Sequence, residues 1–481
     1  MHKSSSYMLL SSRITCILFL FVVPFLSKAQ EVMDLNACID YALRNNIMLQ
    51  QTMLANEQQE SQLRQAKAEQ FPSLSLNAGQ GYNFGRTIDP FTNEFLTRSI
   101  RTNNFSLNSN WLAFQGFSVR NNIRSAKMQA ESAAHEINRA KNEVYLNVTN
   151  FYIEVLKAQE QVKRADSLYE NAKNTYERAT YLVSSGQENE IVELEAEAQM
   201  ANDESLKILA ENDLEMAYLR LKQFMNWNPT KPMEVVEVPV DDELEAFEED
   251  GLERALNQRL YELPEYKAAE ANIQAAIFAL KSAKGRRWFS FNVNASLNTG
   301  YSNQREEITD LNFRTDTLGF LPADNTPVVL ERPDPVFSTI SFADQIENNF
   351  GQTINFGINI PIFNNYQIKN SIRIAEIQQQ RSELEIEDLK NQLTAEVYEA
   401  YVNVKNAYKR YLALDKNKKA QARAFEQNDV RYKEGLLSFF EWRNSRILYT
   451  EALVDFVNAK YDYVFAEKIY RFYLDGNVDF N

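Results

Sequence analysis

The chain has 481 residues, 44% of them hydrophobic, and its 51 Lys and Arg against 66 Asp and Glu give a net charge of −15. This acidic balance argues against nucleic-acid binding, which needs clustered basic residues and a high pI. Of the two cysteines, Cys16 lies within the first 29 residues, so the remaining chain holds Cys38 alone and no disulfide pair.

Residues 1–29 have the pattern of a cleaved signal peptide. Lys3 and Arg13 precede an apolar run over 14–26, and the small residues Ser27 and Ala29 mark the expected cleavage site. A membrane anchor is the alternative, but the run is shorter than the roughly 20 apolar residues that span a bilayer. Cleavage would remove three basic groups and no acid, which lowers the net charge to −18.

The remaining sequence is an internal duplication. Two windows, 117–185 and 366–434, contain no Gly or Pro, begin 249 residues apart, and are each followed by a glycine, Gly186 and Gly435. Apolar residues in both windows alternate in steps of three and four, with one stutter at the same place. This pattern predicts two coiled-coil helices of roughly 100 Å each.

The elements of the two repeats are predicted in the same order. The first repeat, 30–226, has a helix over 35–70, a β-hairpin over 73–113, a long helix over 116–185 and a helix over 188–226. An acidic linker, or equatorial segment, follows over 227–251. The second repeat, 252–481, has a helix over 252–287, a β-hairpin over 289–362, a long helix over 365–434 and a helix over 437–474. Loops over 86–104 and 303–350 join the strands, and the second loop is longer.

The hairpin segments change from helical to strand periodicity. Leu74, Leu76 and Ala78 alternate with Ser and Asn, and Ile354 and Phe356 do so in the second repeat. Four such strands match the wall of a transmembrane β-barrel; a half-exposed antiparallel sheet on a helical domain is the alternative. Four strands cannot close a barrel, and open edges are costly in lipid. The membrane hypothesis therefore requires oligomers, with eight strands from two chains or twelve from three.

No pattern of catalytic or metal-binding residues is present. After residue 29 the only histidine is His135, in the middle of a predicted helix, which is the usual setting of a surface or packing residue. There is no Cys/His ligand spacing, glycine-rich phosphate loop or nucleophile motif. The sequence thus predicts neither an enzyme nor a cofactor or metal.

The order and spacing of these elements resemble the TolC-type outer-membrane efflux protein family over essentially all of 30–481. Residues 35–46 are similar to the family's opening helix, 219–226 to its close of the first repeat, and 432–438 to its second tip turn. The resemblance implies a mainly α fold with a β-barrel portion: long antiparallel helical hairpins form an α-barrel, and four transmembrane strands per chain close a 12-stranded barrel in a homotrimer. It implies the outer membrane of a Gram-negative cell, with a long periplasmic extension.

The same resemblance implies partners and functional residues. The partners are a periplasmic adaptor (membrane fusion) protein, an inner-membrane pump of RND or ABC type, and outer-membrane lipid. The tip turns are Gly186 and Gly435. Candidates for the periplasmic aperture and its gating are Tyr432, Glu441, Arg431, Asp429, Glu188 and Glu190. Candidates for adaptor contact are Leu436, Leu437 and Ser438.

Three positions depart from the family's gating pattern. Leu437 stands at the arginine position, Asn444 at the second acidic position, and Val192 at the matching place in the first tip. In a trimer, Glu441 would recur three times around the axis, favour cations and have its pKa raised by like charge; the alternative is a solvated helix residue. Adaptor contact or helix packing are the alternatives for Phe439, Phe440 and Trp442.

Three functional interpretations follow. The first is the exit duct of a tripartite efflux system, which passively conducts small molecules such as drugs and toxic compounds across periplasm and outer membrane. The second is the same channel serving type I protein secretion. The third is a periplasmic coiled-coil scaffold without a pore. The placement of both hairpins at one end of the predicted rods favours a duct, and the sequence does not distinguish the two cargoes.

Overall fold

The computed structural model describes residues 31–88, 93, 95–97, 99–236, 247, 251–320, 324 and 326–476. The predicted signal peptide and most of the acidic linker lie outside these residues. The described strands, in chain order, are β1 (Glu31–Met33), β2 (Ser73–Asn83), β3 (Arg86–Ile88), β4 (Phe95–Thr97), β5 (Ile100–Gln115), β6 (Met233–Val235), β7 (Ser290–Ser302), β8 (Glu306–Phe320), β9 (Pro327–Thr339) and β10 (Gly351–Asn359). The described helices are α1 (Leu35–Asn45), α2 (Ile47–Ala68), α3 (Ser118–Ser184), α4 (Glu190–Phe224), α5 (Leu252–Asn257), α6 (Pro264–Gly285), α7 (Phe342–Asn348), α8 (Gln367–Lys433) and α9 (Phe439–Asp475).

The two long helices, α3 and α8, have 67 residues each and begin and end at equivalent positions of the two repeats. At about 1.5 Å per residue each is roughly 100 Å long. Neither contains a Gly or Pro that would break it. Both stop at a glycine in the left-handed region, with φ +73° at Gly186 and +74° at Gly435, where a side chain would be strained.

Both shorter helices that precede a hairpin are interrupted, so the predictions of single helices over 35–70 and 252–287 are wrong. Asn46 ends α1 and caps α2, because its side chain accepts a hydrogen bond from the Leu49 amide at 3.0 Å. In the second repeat a 3-10 helix, Arg259–Glu262, separates α5 from α6. Pro264 stands at the first position of α6, where proline favours a helix start.

The predicted loops contain further structure. Strands β8 and β9 pair antiparallel along most of their length, and α7 follows them, so the interpretation of 303–350 as a loop is wrong. β-branched and aromatic residues favour strands here, such as Ile308 and Phe313 in β8 and Val328, Val329 and Phe337 in β9. A short hairpin, β3–β4, lies within the loop over 86–104, and β6 lies within the linker.

The chain divides into two compact units: residues up to 45 with 148–244, and 46–147 with 245–481. In the first unit β1 pairs parallel with β6. Tyr152 is almost fully buried, and its hydroxyl donates to the Val236 carbonyl at 2.7 Å. Burial also raises the pKa of the Cys38 thiol to about 12. These contacts fix the N-terminal strand in the unit's core.

In the second unit β2, β5, β7 and β10 form one antiparallel sheet in the order β10-β7-β5-β2. Each repeat thus contributes one hairpin, and β5 pairs with β7 to join them. Helix α8 packs against α6 and α9. Where the sheet meets the helices, Gly116 and Gly285 are in backbone contact, and the buried Ser118 and Ser282 hydroxyls lie 3.0 Å apart.

Candidate functional site: sheet faces and helical tips

One face of the four-stranded sheet is mostly apolar, with polar exceptions such as Ser109 and Gln352. The register places Leu76, Leu107 and Leu297 in one transverse row, and Trp111, Val293 and Phe356 in another. The outer strands expose these side chains most, with Leu76 at 74% and Phe356 at 70%. An exposed apolar face of this kind is expected where the solvent is lipid.

The opposite face is polar and uncharged. Over the five rows that run from Ser73 to Gly81 on β2, every side chain that shares this face is Ser, Thr or Asn, or the residue is Gly. The longest rows are Ser73–Asn110–Asn294–Asn355, Ser75–Asn108–Ser296–Thr353 and Asn77–Ser106–Asn298–Gly351. Asn108 donates to Ser106 at 3.0 Å and Asn298 donates to Ser296 at 3.1 Å. This face matches the interior of a membrane barrel.

The turn between α8 and α9 is held by backbone hydrogen bonds. The amide of Gly435 donates to the Tyr432 carbonyl at 3.0 Å, and that of Leu436 donates to the Arg431 carbonyl at 2.8 Å. This arrangement is a Schellman motif, which ends a helix on a left-handed residue. The turn between α3 and α4 repeats it, with Gly186 and Gln187 donating to Val183 and Leu182. The tip glycines therefore have the same geometry in both repeats.

An aromatic cluster closes the second tip. Trp442 is 7% exposed, and its ring centroid lies 5.1 Å from that of Tyr432, 5.6 Å from Phe439 and 6.3 Å from Phe425. The Trp442 indole N–H donates to Asp429 at 3.0 Å, and Asp429 also pairs with Lys433 at 2.6 Å. The structure thus brings the predicted Tyr432 and Asp429 together through Trp442. Packing, which was one alternative for Phe439 and Trp442, is what this chain shows.

Glu441 and Ser438 form a capping box at the start of α9. The Glu441 amide donates to the Ser438 hydroxyl at 3.3 Å, and the Ser438 amide donates back to the Glu441 carboxylate at 3.1 Å. The Ser438 hydroxyl in turn donates to the Glu441 carboxylate at 2.7 Å. This hydrogen bond first, then the one from the Ser438 amide and a smaller effect of Arg431, hold the pKa of the Glu441 carboxyl group below its ordinary value. The pKa of Glu441 is thus lowered within one chain, whereas three copies of Glu441 around a trimer axis were expected to raise it. The Ser-x-x-Glu spacing was the sequence signal for this cap.

The remaining predicted residues, with the exception of Leu437, are exposed at the two tips. Leu436 is 66% exposed, whereas Leu437 is half-buried. Glu188 and Glu190 are exposed on either side of Asn189, whose side chain caps α4 by accepting from the Ile191 amide at 3.1 Å. Exposed apolar residues stand at equivalent positions of the two tips: Tyr181 and Val430, and Ile191 and Phe440. Of these four, sequence reasoning singled out Phe440 alone.

The described residues give no sign of metal chemistry or of helical membrane spans. No group of three His, Cys, Asp or Glu side chains within these ranges is arranged to hold a metal ion. Of the helices in the same ranges, none has the length and apolar character that a bilayer crossing requires.

Comparison with known structures shows the fold. The chain superposes on the CmeC outer membrane channel of Campylobacter jejuni with a TM-score of 0.74, at 18% identity, covering 92% of this chain and 86% of that one. VceC of Vibrio cholerae gives 0.70 at 14% identity, with 92% and 97% covered. The MtrE outer membrane channel of Neisseria gonorrhoeae gives 0.68 at 16% identity, with 92% and 89% covered. The predicted fold class, mainly helical with a β portion, is confirmed.

Sequence comparison identifies the family. No curated protein sequence matches this chain. A family profile described as "Outer membrane efflux protein" matches residues 38–226 and 255–469, which together cover both repeats. The chain therefore belongs to the outer membrane efflux protein family.

Proposed function

We propose that this protein is the outer-membrane exit duct of a tripartite efflux system and passively conducts small molecules. The observation that carries the proposal is the two-faced sheet, with lipid-compatible side chains on one face and uncharged polar side chains on the other. A sheet between lipid and an aqueous pore needs this division.

The sheet's edges support assembly into a homotrimer. Among the described strands of one chain, β2 and β10 each pair on one side only. Backbone groups left unpaired in lipid cost several kcal/mol each, so a β-sheet spans a bilayer only as a closed barrel. Three chains contribute twelve strands, and β2 of one copy pairs with β10 of the next. Such a barrel leaves a water-filled passage, whereas an eight-stranded barrel is filled by its own side chains.

The long helices extend this passage into the periplasm. With 67 residues each, α3 and α8 are long enough to line a tunnel of roughly 100 Å. In the proposed trimer Glu441 supplies negative charge at the aperture and the cluster around Tyr432 sets its closed state. Glu188 and Glu190 are the gating candidates of the first tip. The exposed Leu436 and the turn residues Leu437 and Ser438 receive a periplasmic adaptor, which connects the duct to an inner-membrane RND or ABC pump.

Purification and conductance test the duct. Full-length protein, extracted in detergent, is expected to have the mass of three chains by light scattering and to form cation-selective pores in planar bilayers. Tyr432→Ala is expected to raise the open fraction, because it removes a ring that packs against Trp442 and Phe439. A protein that stays monomeric and soluble without detergent, or a trimer that never conducts even with this substitution, contradicts the proposal.

A further inference from the structure

The boundary between sheet and helices carries an unusual backbone motif twice. Gly116 and Phe117 precede α3 with φ +51° and +61°, and Asn365 and Tyr366 precede α8 with φ +52° and +61°. Bulky residues rarely adopt positive φ, because the side chain is strained in this region. Both aromatic side chains are nevertheless exposed, Phe117 at 62% and Tyr366 at 59%. The fold therefore holds two strained aromatics outward at equivalent positions.

Further aromatic side chains lie at the same boundary. Trp288 is 65% exposed, and a Cβ added at Gly116 would lie 2.8 Å from the Cβ of Trp288. The Phe114 ring lies 5.4 Å from Phe117 and 5.1 Å from Phe289. Exposed aromatics at one end of a membrane sheet mark the level of the lipid headgroups.

Cations follow the aromatics at helical spacing. Arg120 and Arg124 stand three and seven residues after Phe117, and Lys369 and Arg373 stand three and seven residues after Tyr366. All four are exposed. We call the segments 67–75, 114–127, 281–292 and 362–373 the boundary belt; they hold ten Lys or Arg and one acid, Glu69. The chain as a whole has more acids than bases, so this belt is a local reversal of charge.

The protein itself neutralises only part of the belt. Glu69 accepts a hydrogen bond from Asn122 at 3.2 Å. Glu376, just beyond the belt, pairs with Lys284 and Arg373 at 3.6 Å each. Lys369 lies over the Tyr366 ring at 5.4 Å. By contrast, Arg120, Arg286 and Arg287 are exposed and form no ion pair with the described residues.

The position of these cations is unfavourable within the protein alone. The first turns of α3 and α8 contain no acid, although helix N-termini carry partial positive charge and favour negative side chains. Arg120 and Lys369 add positive charge there. An external anion at this place would satisfy both the helix N-termini and the cations.

We propose that the boundary belt binds the phosphate groups of anionic phospholipids in the leaflet on the helical side of the sheet. The exposed aromatics enter the headgroup region, and Arg120, Arg286 and Arg287 contact the lipid phosphates. This inference rests on the proposed function, since it requires the sheet to lie in a bilayer. It adds a lipid class and the residues that select it.

Lipid quenching tests the proposal on the full chain in vesicles. Quenching of tryptophan fluorescence by brominated phosphatidylglycerol is compared with quenching by brominated phosphatidylcholine, and Trp288 reports on the belt. The wild type is expected to prefer phosphatidylglycerol. In the triple variant Arg120→Gln, Arg286→Gln, Arg287→Gln, the preference for phosphatidylglycerol at low salt is expected to fall about fivefold for each cation removed. The matched control is Lys409→Gln, Lys416→Gln, Arg423→Gln, which removes three exposed cations of α8 outside the belt.

Each outcome has a distinct meaning. A preference that is lost in the belt variant and kept in the control supports the proposal. Equal quenching by the two lipids in inserted wild-type protein overturns it, as does an equal loss in the control. If inorganic phosphate abolishes the preference and chloride at the same ionic strength does not, the belt is a site for free anions, and the lipid proposal is overturned. Protein that washes off the vesicles in urea instead refutes the proposed membrane function itself.

Discussion

Replacing Trp442 by Ala tests whether the aromatic cluster holds the second tip closed. Removal of a buried tryptophan costs about 3–5 kcal/mol; because this side chain lies at a helix end, we take the lower value. Local opening of the tip should then increase roughly a hundredfold, at about 1.4 kcal/mol per factor of ten. Trp442→Phe keeps a ring but removes the donor to Asp429, which costs about 1 kcal/mol, or roughly fivefold.

Amide hydrogen exchange, measured by mass spectrometry, reports this opening. Exchange over 425–449 should accelerate roughly a hundredfold in Trp442→Ala and roughly fivefold in Trp442→Phe. Exchange over 393–411, in the middle of α8, should stay constant because the opening is local. Phe440→Ala is the matched control, since this neighbouring aromatic is 67% exposed and its removal should change stability by less than about 0.5 kcal/mol. Equal acceleration in Trp442→Ala and Phe440→Ala would refute the assigned role of the cluster.

Three further predictions concern the cap, the first unit and the sheet boundary. Because the pKa of Glu441 is lowered, its ionised carboxylate stabilises the second tip fully above the ordinary carboxyl pKa, and this stabilisation is lost as pH falls through the lowered value. Amide exchange at the tip should lack this pH dependence in Glu441→Gln. Tyr152→Phe removes a buried 2.7 Å hydrogen bond, at about 1 kcal/mol, and should speed alkylation of Cys38 roughly fivefold; an unchanged rate contradicts the assigned contact. Gly285→Ala places a methyl group 2.4 Å from a backbone oxygen and should destabilise by about 1–3 kcal/mol, whereas Gly79→Ala, which meets nothing within 4 Å, should cost less in thermal melts.

Periodicity accounts for the parts of the fold that the sequence predicts well. The long helices lie within the windows that lack Gly and Pro, since nothing inside those windows interrupts the hydrogen-bond ladder. Alternation likewise assigns the apolar and polar faces of β2 and β10, because side chains in a strand alternate strictly between faces.

Local capping and backbone strain account for the rest. The sequence contains signals for a new helix at both places, a capping Asn46 and a helix-starting Pro264. The apolar pattern continues on both sides of each residue, however, and so conceals the interruption of the helix. Positive φ at Phe117 and Tyr366 had no signal, because bulky residues are the least expected there. The contact of Trp442 with Asp429 joins side chains from two helices, so neither helix pattern alone contains it.

The uncharged face of the sheet has a consequence for how cargo is discriminated. Ser, Thr, Asn and Gly do not titrate in the physiological range, so a pore wall built from these five rows has the same charge at every external pH. Sorting of permeants by sign of charge must then occur elsewhere along the route. In the proposed duct this sorting falls to the charged side chains at the helical tips, such as Glu441, and not to the wall that faces the outside.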